Sequence, residues 1–163
     1  MEAARRRRVA VIGAALAPPA QLELAAQVGA EIARRDAILL CGGLGGVMEA
    51  AARGASARGG LTIGLLPGYD ADDANPGIAV PLATGLGQAR NVLVVAGAEA
   101  VIAIGGGAGT LAEIGLALKL GRRVVGLGTW QLTPPAGMEV GIWRARDALE
   151  AVALALDTRE VAG

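Results

Sequence analysis

Short apolar runs alternate with longer alanine-rich stretches along the chain. RVAVIGAA (8–15) predicts a strand. PAQLELAAQVGAEIARR (19–35) predicts a helix, because Leu22, Ala25, Val28 and Ile32 recur at three-to-four spacing. AILLCGG (37–43) predicts a strand running into glycines, GVMEAAARGASA (46–57) a helix, and LTIGLLPG (61–68) a third strand. The polar stretch YDADDANPG (69–77) predicts a turn-rich loop. TGLGQARNVLVVAGA (84–98) predicts a helix despite its β-branched residues, since it starts in a loop and ends at Gly97. A strand in AVIAIGG (100–106), a helix in TLAEIGLALKLG (110–121) and a strand in RVVGLG (123–128) follow. Residues 129–145 predict a loop before a closing helix within RARDALEAVALALDT (144–158).

Strands that alternate with helices imply parallel β-α-β units, and continuous Val/Ile/Leu runs fit strands covered on both faces. The expected fold is a single-domain, Rossmann-like three-layer α/β sandwich with a mainly parallel, doubly wound sheet. No linker divides the chain, so residues 1–163 read as one domain, long enough to bury a sizeable core.

Charge excludes some functions. Fifteen basic and fifteen acidic residues give a formal net charge of zero, so no electrostatic footprint for nucleic acid is present. The run Arg5–Arg8 reads as part of a solvated, flexible arm over residues 1–7. No apolar run reaches the roughly 18 residues of a membrane span. VAVIGAALAPP is interrupted by Gly13 and stopped by Pro18, so it does not read as a signal sequence. A cytoplasmic protein without membrane or nucleic-acid partners is expected.

Missing residue types exclude more. Histidine is absent, which removes imidazole acid/base chemistry and histidine metal ligation. The single cysteine, Cys41, forms no internal disulfide and no zinc cluster. Asp70, Asp72 and Asp73 lack the rest of an EF-hand pattern and read as solvated turn residues, so no metal site is expected. The only lysine, Lys119, sits near a helix end, where it suits a dipole partner better than a buried Schiff base. The remaining chemistry belongs to Asp, Glu, Arg, Thr and backbone amides.

Backbone amides are offered by two glycine turns. CGGLGGVMEA (41–50) and GGGAGTLAEI (105–114) align without a gap, matching Gly42, Gly43, Gly45 and Glu49 to Gly106, Gly107, Gly109 and Glu113. Each follows a strand and opens a helix. Their likeness reads either as shared turn geometry or as two walls of one crevice, where open α/β sheets bind ligands. The second reading is favoured, because both turns carry more glycines than chain reversal requires. Gly105, Gly106, Gly107, Ala108, Gly109 and Thr110 then form a phosphate cradle, with N–H groups and a helix N-terminus facing an anion. No Gly-Lys-Ser/Thr follows, so this is not a P-loop. Thr110 and Glu113 fit a capping box, with Thr110 as N-cap. Glu113 reads equally as a ligand-facing carboxylate opposite a cationic partner. Arg90, in an apolar setting within GLGQARN, is the candidate partner.

CGGLGGVMEAA, LLPGYDADDANPG, TGLGQARNVLVV and AVIAIGGGAGTLAEIGLALKLGRRVVGLGTW occur in order within residues 9–130. Together they resemble bacterial proteins related to the molybdenum cofactor carrier, within the LOG-like superfamily once labelled "lysine decarboxylase". LOG enzymes cleave cytokinin riboside 5′-monophosphates and release ribose 5-phosphate. Their Pro-Gly-Gly-x-Gly-Thr-x-x-Glu motif maps onto Gly105 through Glu113, and their Arg-Lys pair onto Arg90 and Asn91. The resemblance implies that the turn holds the 5′-phosphate. It also implies that Glu113 engages ribose and Arg90 orients the nucleotide. Gly105 stands where the motif has proline, and Asn91 where it has lysine. Carrier-type relatives hold the molybdenum cofactor, a phosphorylated pterin. The leading expectation is therefore binding of a phosphorylated, nucleotide-like small molecule. The alternatives are a nucleoside 5′-monophosphate phosphoribohydrolase using Arg90 and Glu113, or a non-enzymatic nucleotide sensor. Possible ligands are molybdenum cofactor or a nucleoside monophosphate, with no cofactor required for folding. The resemblance also implies a homodimer or homotetramer.

Overall fold

The apolar runs become strands of one sheet in a computed structural model that describes residues 5–139 and 141–159. In chain order the elements are β1 (Arg8–Gly13), α1 (Pro19–Arg34), β2 (Ile38–Cys41), α2 (Val47–Ser56), β3 (Thr62–Leu66) and β4 (Val80–Ala83). They continue with α3 (Arg90–Ala96), β5 (Ala100–Ile104), α4 (Ala108–Lys119), β6 (Arg123–Leu127), β7 (Ile142–Arg144) and α5 (Ala148–Leu156). The sheet order is β4-β3-β2-β1-β5-β6-β7, and every pairing is parallel. The strand order therefore reverses between β1 and β5, as expected of a doubly wound sheet.

Alternating side chains on the central strands feed two cores. Val9, Val11, Ile102 and Ile104 pack with Val28 and Ile32 of α1, Val47 and Ala51 of α2, and Val152 of α5. Ala10, Ile12, Val101 and Ala103 pack with Val94 and Val95 of α3 and Ile114 of α4. β5 and β6 are buried at every position, which is why their sequences show no polar alternation. α1 and α2 approach backbone to backbone. A Cβ at Gly29 would strike the Ala51 carbonyl, and one at Gly54 the Ala26 carbonyl.

Five local expectations are corrected. β4 occupies a segment that carried no predicted element. Its Val80 and Leu82 are exposed at the sheet edge, where Pro81 is tolerated. β7 lies inside the predicted 129–145 loop, paired with β6 over three residues. The helix predicted from 84 begins only at Arg90. Gly85 and Gly87 have φ of 67° and 56°, so the chain enters through a 3-10 turn at Gly87–Ala89. Thr110 is not an N-cap. α4 starts at Ala108 after Gly107, no side chain caps it, and Thr110 sits in the first turn beneath Gly106. Finally, the arginine run is tied down at Arg6 and Arg8, which pair with Asp36 at 2.9 Å and Glu99 at 2.8 Å. Residues 1–4 of the expected arm lie outside the described residues.

Candidate functional site

The end of β1 and the turn after β5 open onto a cavity of about 340 Å³ at the switch point. Gly13, Ala14 and Ala15 form its β1 wall, and Gly107, Gly109, Thr110 and Glu113 its β5–α4 wall. Leu44 and Met48 come from the segment after β2, and Gln88, Arg90 and Asn91 from the entry to α3. The volume lies at the small end of ligand pockets, which run from about 300 to 1,000 Å³.

The glycines of the two turns have separate jobs. Gly105 and Gly106 have φ of 52° and 99°, and a Cβ there would meet the side chains of Gln21 and Thr110 respectively. A Cβ on Gly107 or Gly109 would meet no atom within 4 Å, so their bareness leaves space on the cavity side. The first turn contributes mainly Leu44. Gly43 turns with φ of 76°, and its carbonyl accepts from the Asn75 amide at 2.9 Å. The Leu44 carbonyl accepts from Asn75 Nδ2 at 2.8 Å. Asn75 is buried, so the YDADDANPG loop fixes this wall through one side chain.

The internal echo does not extend to equivalent roles. β1 separates β2 from β5, so the two turns are not on adjacent strands. Glu49 pairs with Arg53 at 2.8 Å on the outside of α2, whereas its counterpart Glu113 is buried. Gly42 and Gly45 stand behind the cavity wall. The Gly42 carbonyl accepts from Arg90 Nη2 at 3.3 Å, and Gly45 faces the Ala15 carbonyl.

Arg90 is 8 % exposed and is the first residue of α3. Its Nη2 donates to Gly42, its Nη1 donates to Asn91 Oδ1, and its buried Nε has no partner. Asn91 thus replaces a would-be second cation with an acceptor that fixes the guanidinium. Burial pulls the Arg90 pKa down from its usual value, opposed by the negative field of Glu113. Burial pushes the Glu113 carboxyl up to about 7, although Arg90 pulls the other way. The Cys41 thiol, pushed up to about 11 by burial and accepting from the Gly43 amide, stays neutral beneath the site. Arg90, Asn91, Gly107, Gly109, Thr110 and Glu113 therefore meet in one cavity, while Gly105, Gly106 and Ala108 shape the turn beside it. The β1 wall and Gln88 carried no glycine-rich or charged signal in the sequence. Knowing that β1 neighbours β5 would have found Gly13–Ala15.

A fully parallel sheet with a crevice outside the carboxyl ends of its switch-point strands defines the Rossmann-like α/β class. Within it, this chain belongs to the SLOG cluster4 family, whose sequence model matches residues 6–155. An uncharacterized protein of Archaeoglobus fulgidus is 44% identical over 132 residues, 81% of this chain and 83% of its own. The molybdenum cofactor binding protein of the phototrophic bacterium Rippkaea orientalis superposes with a TM-score of 0.83. It is 33% identical, with 93% of this chain and 96% of that chain covered. The molybdenum cofactor carrier protein of Chlamydomonas reinhardtii gives a TM-score of 0.77 at 36% identity, covering 91% and 95% of the two chains. The resemblance carried by the quoted motifs is thereby borne out. Among the described residues, no helix is long and apolar enough to cross a membrane.

Proposed function

We propose that this protein binds a phosphorylated, nucleotide-like small molecule in the β1–β5 crevice and acts as a carrier of the molybdenum cofactor kind. The observation that carries the reading is the buried cationic side chain of Arg90, lining the same cavity as the bare N-terminus of α4. Among the described residues no carboxylate forms a salt bridge with the buried Arg90 guanidinium, and an anionic ligand would offset the cost of burying its charge. The first amides of α4 have no intrahelical acceptor and favour the same charge. Gly107 and Gly109 leave room for the phosphate group, and Leu44 and Met48 supply apolar surface for a ring. The two solved relatives named for the molybdenum cofactor support this ligand class. The test is to purify the protein from cells that make the cofactor, oxidise it, and measure the fluorescent pterin released. A pterin signal retained by wild type and lost in Arg90→Met is expected. Absence of pterin, together with no saturable binding of added cofactor, would overturn the carrier reading.

A second reading rests on Glu113. A buried carboxyl with a pKa of about 7 beside Arg90 is poised for proton transfer or for stabilising positive charge on a sugar. That chemistry suits hydrolysis of a nucleoside 5′-monophosphate at its N-glycosidic bond. Incubation with a panel of monophosphates tests it. Release of ribose 5-phosphate, abolished in a folded Glu113→Gln variant, would establish the hydrolase and sink a pure carrier. Self-association is proposed through the exposed apolar side chains of β4 and α3, Val80, Leu82, Val92 and Leu93. A monomer mass in sedimentation equilibrium would remove it.

A further inference from the structure

The carbonyl oxygens of the α4 glycine turn are held from the side away from the cavity. Thr129 Oγ1 donates to the Gly105 carbonyl at 2.6 Å, and Trp130 Nε1 donates to the Gly107 carbonyl at 3.1 Å. Both donors follow β6, which flanks β5 on one side, while β1 and the Gly13–Ala15 wall flank it on the other. In a planar trans peptide the carbonyl of one residue and the N–H of the next point in opposite directions. Pinning the Gly105 carbonyl towards β6 therefore turns the Gly106 N–H towards the crevice. The Gly107 carbonyl also accepts from the Leu111 N–H at 3.0 Å and is already set by the first turn of α4. Glycine backbones tolerate either orientation at little cost, and a flipped 105–106 peptide would present a carbonyl oxygen to an anion. Thr129 selects the productive orientation of the 105–106 peptide, and Trp130 adds only a second donor to a carbonyl that α4 already holds.

We infer that Thr129 is a positioning residue for an anion cradle, acting through the Gly105–Gly106 peptide. The inference rests on the reading that this crevice takes a phosphorylated ligand. That reading has support independent of the turn, in the buried Arg90 whose side chain lines the same cavity. Neither Thr129 nor Trp130 was singled out as a candidate in the sequence, although both end the quoted stretch that runs to GLGTW, because neither carries a charge or a turn glycine. Trp130 is one of two tryptophans in the chain, and its ring serves here as the carrier of a single N–H donor.

The test is a titration of ¹⁵N-labelled protein with inorganic sulfate, which keeps its charge across the neutral range. In wild type the Gly106 and Ala108 amide resonances should shift saturably. Thr129→Val removes the hydroxyl at constant shape, and Trp130→Phe removes the indole N–H. Thr129→Val should weaken sulfate about tenfold, the effect of losing one hydrogen bond that orients a charged contact. Trp130→Phe should stay within about twofold of wild type, because Leu111 still holds the Gly107 carbonyl. Thr129→Ser, which restores the hydroxyl, should return affinity to within about twofold of wild type. Melting temperatures close to wild type would separate positioning from loss of fold. Wild-type affinity in Thr129→Val, or an equal loss in Thr129→Val and Trp130→Phe, overturns the inference and leaves the cradle standing. No saturable shift at Gly106 or Ala108 in wild type removes the cradle and the inference with it. Weakened binding with amide changes spread along α4 and a lowered melting temperature also counts against it, because that pattern reports loosening instead of peptide orientation.

Discussion

Glu113 is the residue whose environment opposes its ordinary charge. Burial raises its pKa to about 7, against roughly 4.3 in an unfolded chain. Between those values the folded protein binds more protons than the unfolded one, so stability falls as pH rises from about 4.5 to about 7. Glu113→Gln, which cannot ionise, removes that penalty. The variant should melt at a higher temperature than wild type at pH 8, with the gap narrowing towards pH 5. A gap independent of pH, followed by thermal unfolding in matched buffers, would show that Glu113 is not buried as an acid. The neighbouring glycines give a second residue-scale test. Gly107 has an ordinary φ of −102°, and Gly109 is helical with open space beside it. Alanine at 109 should stabilise the helix by about 0.5–1 kcal/mol while filling the cradle, and alanine at 107 should be nearly neutral for folding. Both should lose sulfate binding. Gly106→Ala should instead lower the melting temperature, since φ of 99° and the Thr110 side chain both exclude a Cβ. Retained sulfate affinity in the 107 and 109 variants would deny that their bareness serves a ligand.

At the scale of elements, the weakest joints are the two sheet edges, and one side chain secures the β7 edge. Arg123, buried at the start of β6, stacks on the Trp143 ring with 5.0 Å to its centroid. It also donates to the Leu154 carbonyl at 3.0 Å and to the Arg159 carbonyl, close to Asp157 at 3.9 Å. β7 and the end of α5 thus hang on one guanidinium. Arg123→Met should cost about 2–4 kcal/mol in urea unfolding, because it removes two charge-assisted hydrogen bonds and releases the ring. A loss below about 0.5 kcal/mol would mean that solvent replaces these contacts. The edges also explain what the sequence displayed. β1, β2, β3, β5 and β6 were legible as continuous apolar runs, because their neighbours on both faces demand such runs. β4 and β7 were not, since short half-exposed strands such as VPLA and IWR leave no burial pattern. The onset of α4 was misplaced for a related reason. Thr110 and Glu113 have capping-box spacing, but the flexible glycines before them let the helix start two residues earlier. The site was legible where it depends on residue type, at Arg90, Glu113 and the glycines. It was not where it depends on topology, at Ala14, Ala15, Thr129 and Trp130.

Over the whole molecule, charge is balanced and paired close to home. The formal net charge is zero, and Glu31 binds Arg34 and Arg35, Glu150 binds Arg146, and Asp157 binds Arg159. Arg6–Asp36 and Arg8–Glu99 close the opposite end of the sheet from the crevice. Such short dipoles cancel beyond a Debye length of about 8 Å, so these pairs contribute no long-range field that draws an anion to the protein. The attraction begins only at the cavity, where Arg90 and the α4 amides are shielded from solvent ions. The association rate of a phosphorylated ligand should therefore change by less than about threefold as ionic strength rises tenfold. Stopped-flow mixing with Trp130 fluorescence as the signal measures it. Potassium glutamate suits as the salt, because its bulky anion competes poorly for a phosphate-sized space. A decline of tenfold or more would place a steering patch on the surface, and the exposed arginines nearest the crevice would be the ones to neutralise. A flat rate joined to a strong dependence on Arg90 would locate recognition inside the crevice, at the contacts made after arrival.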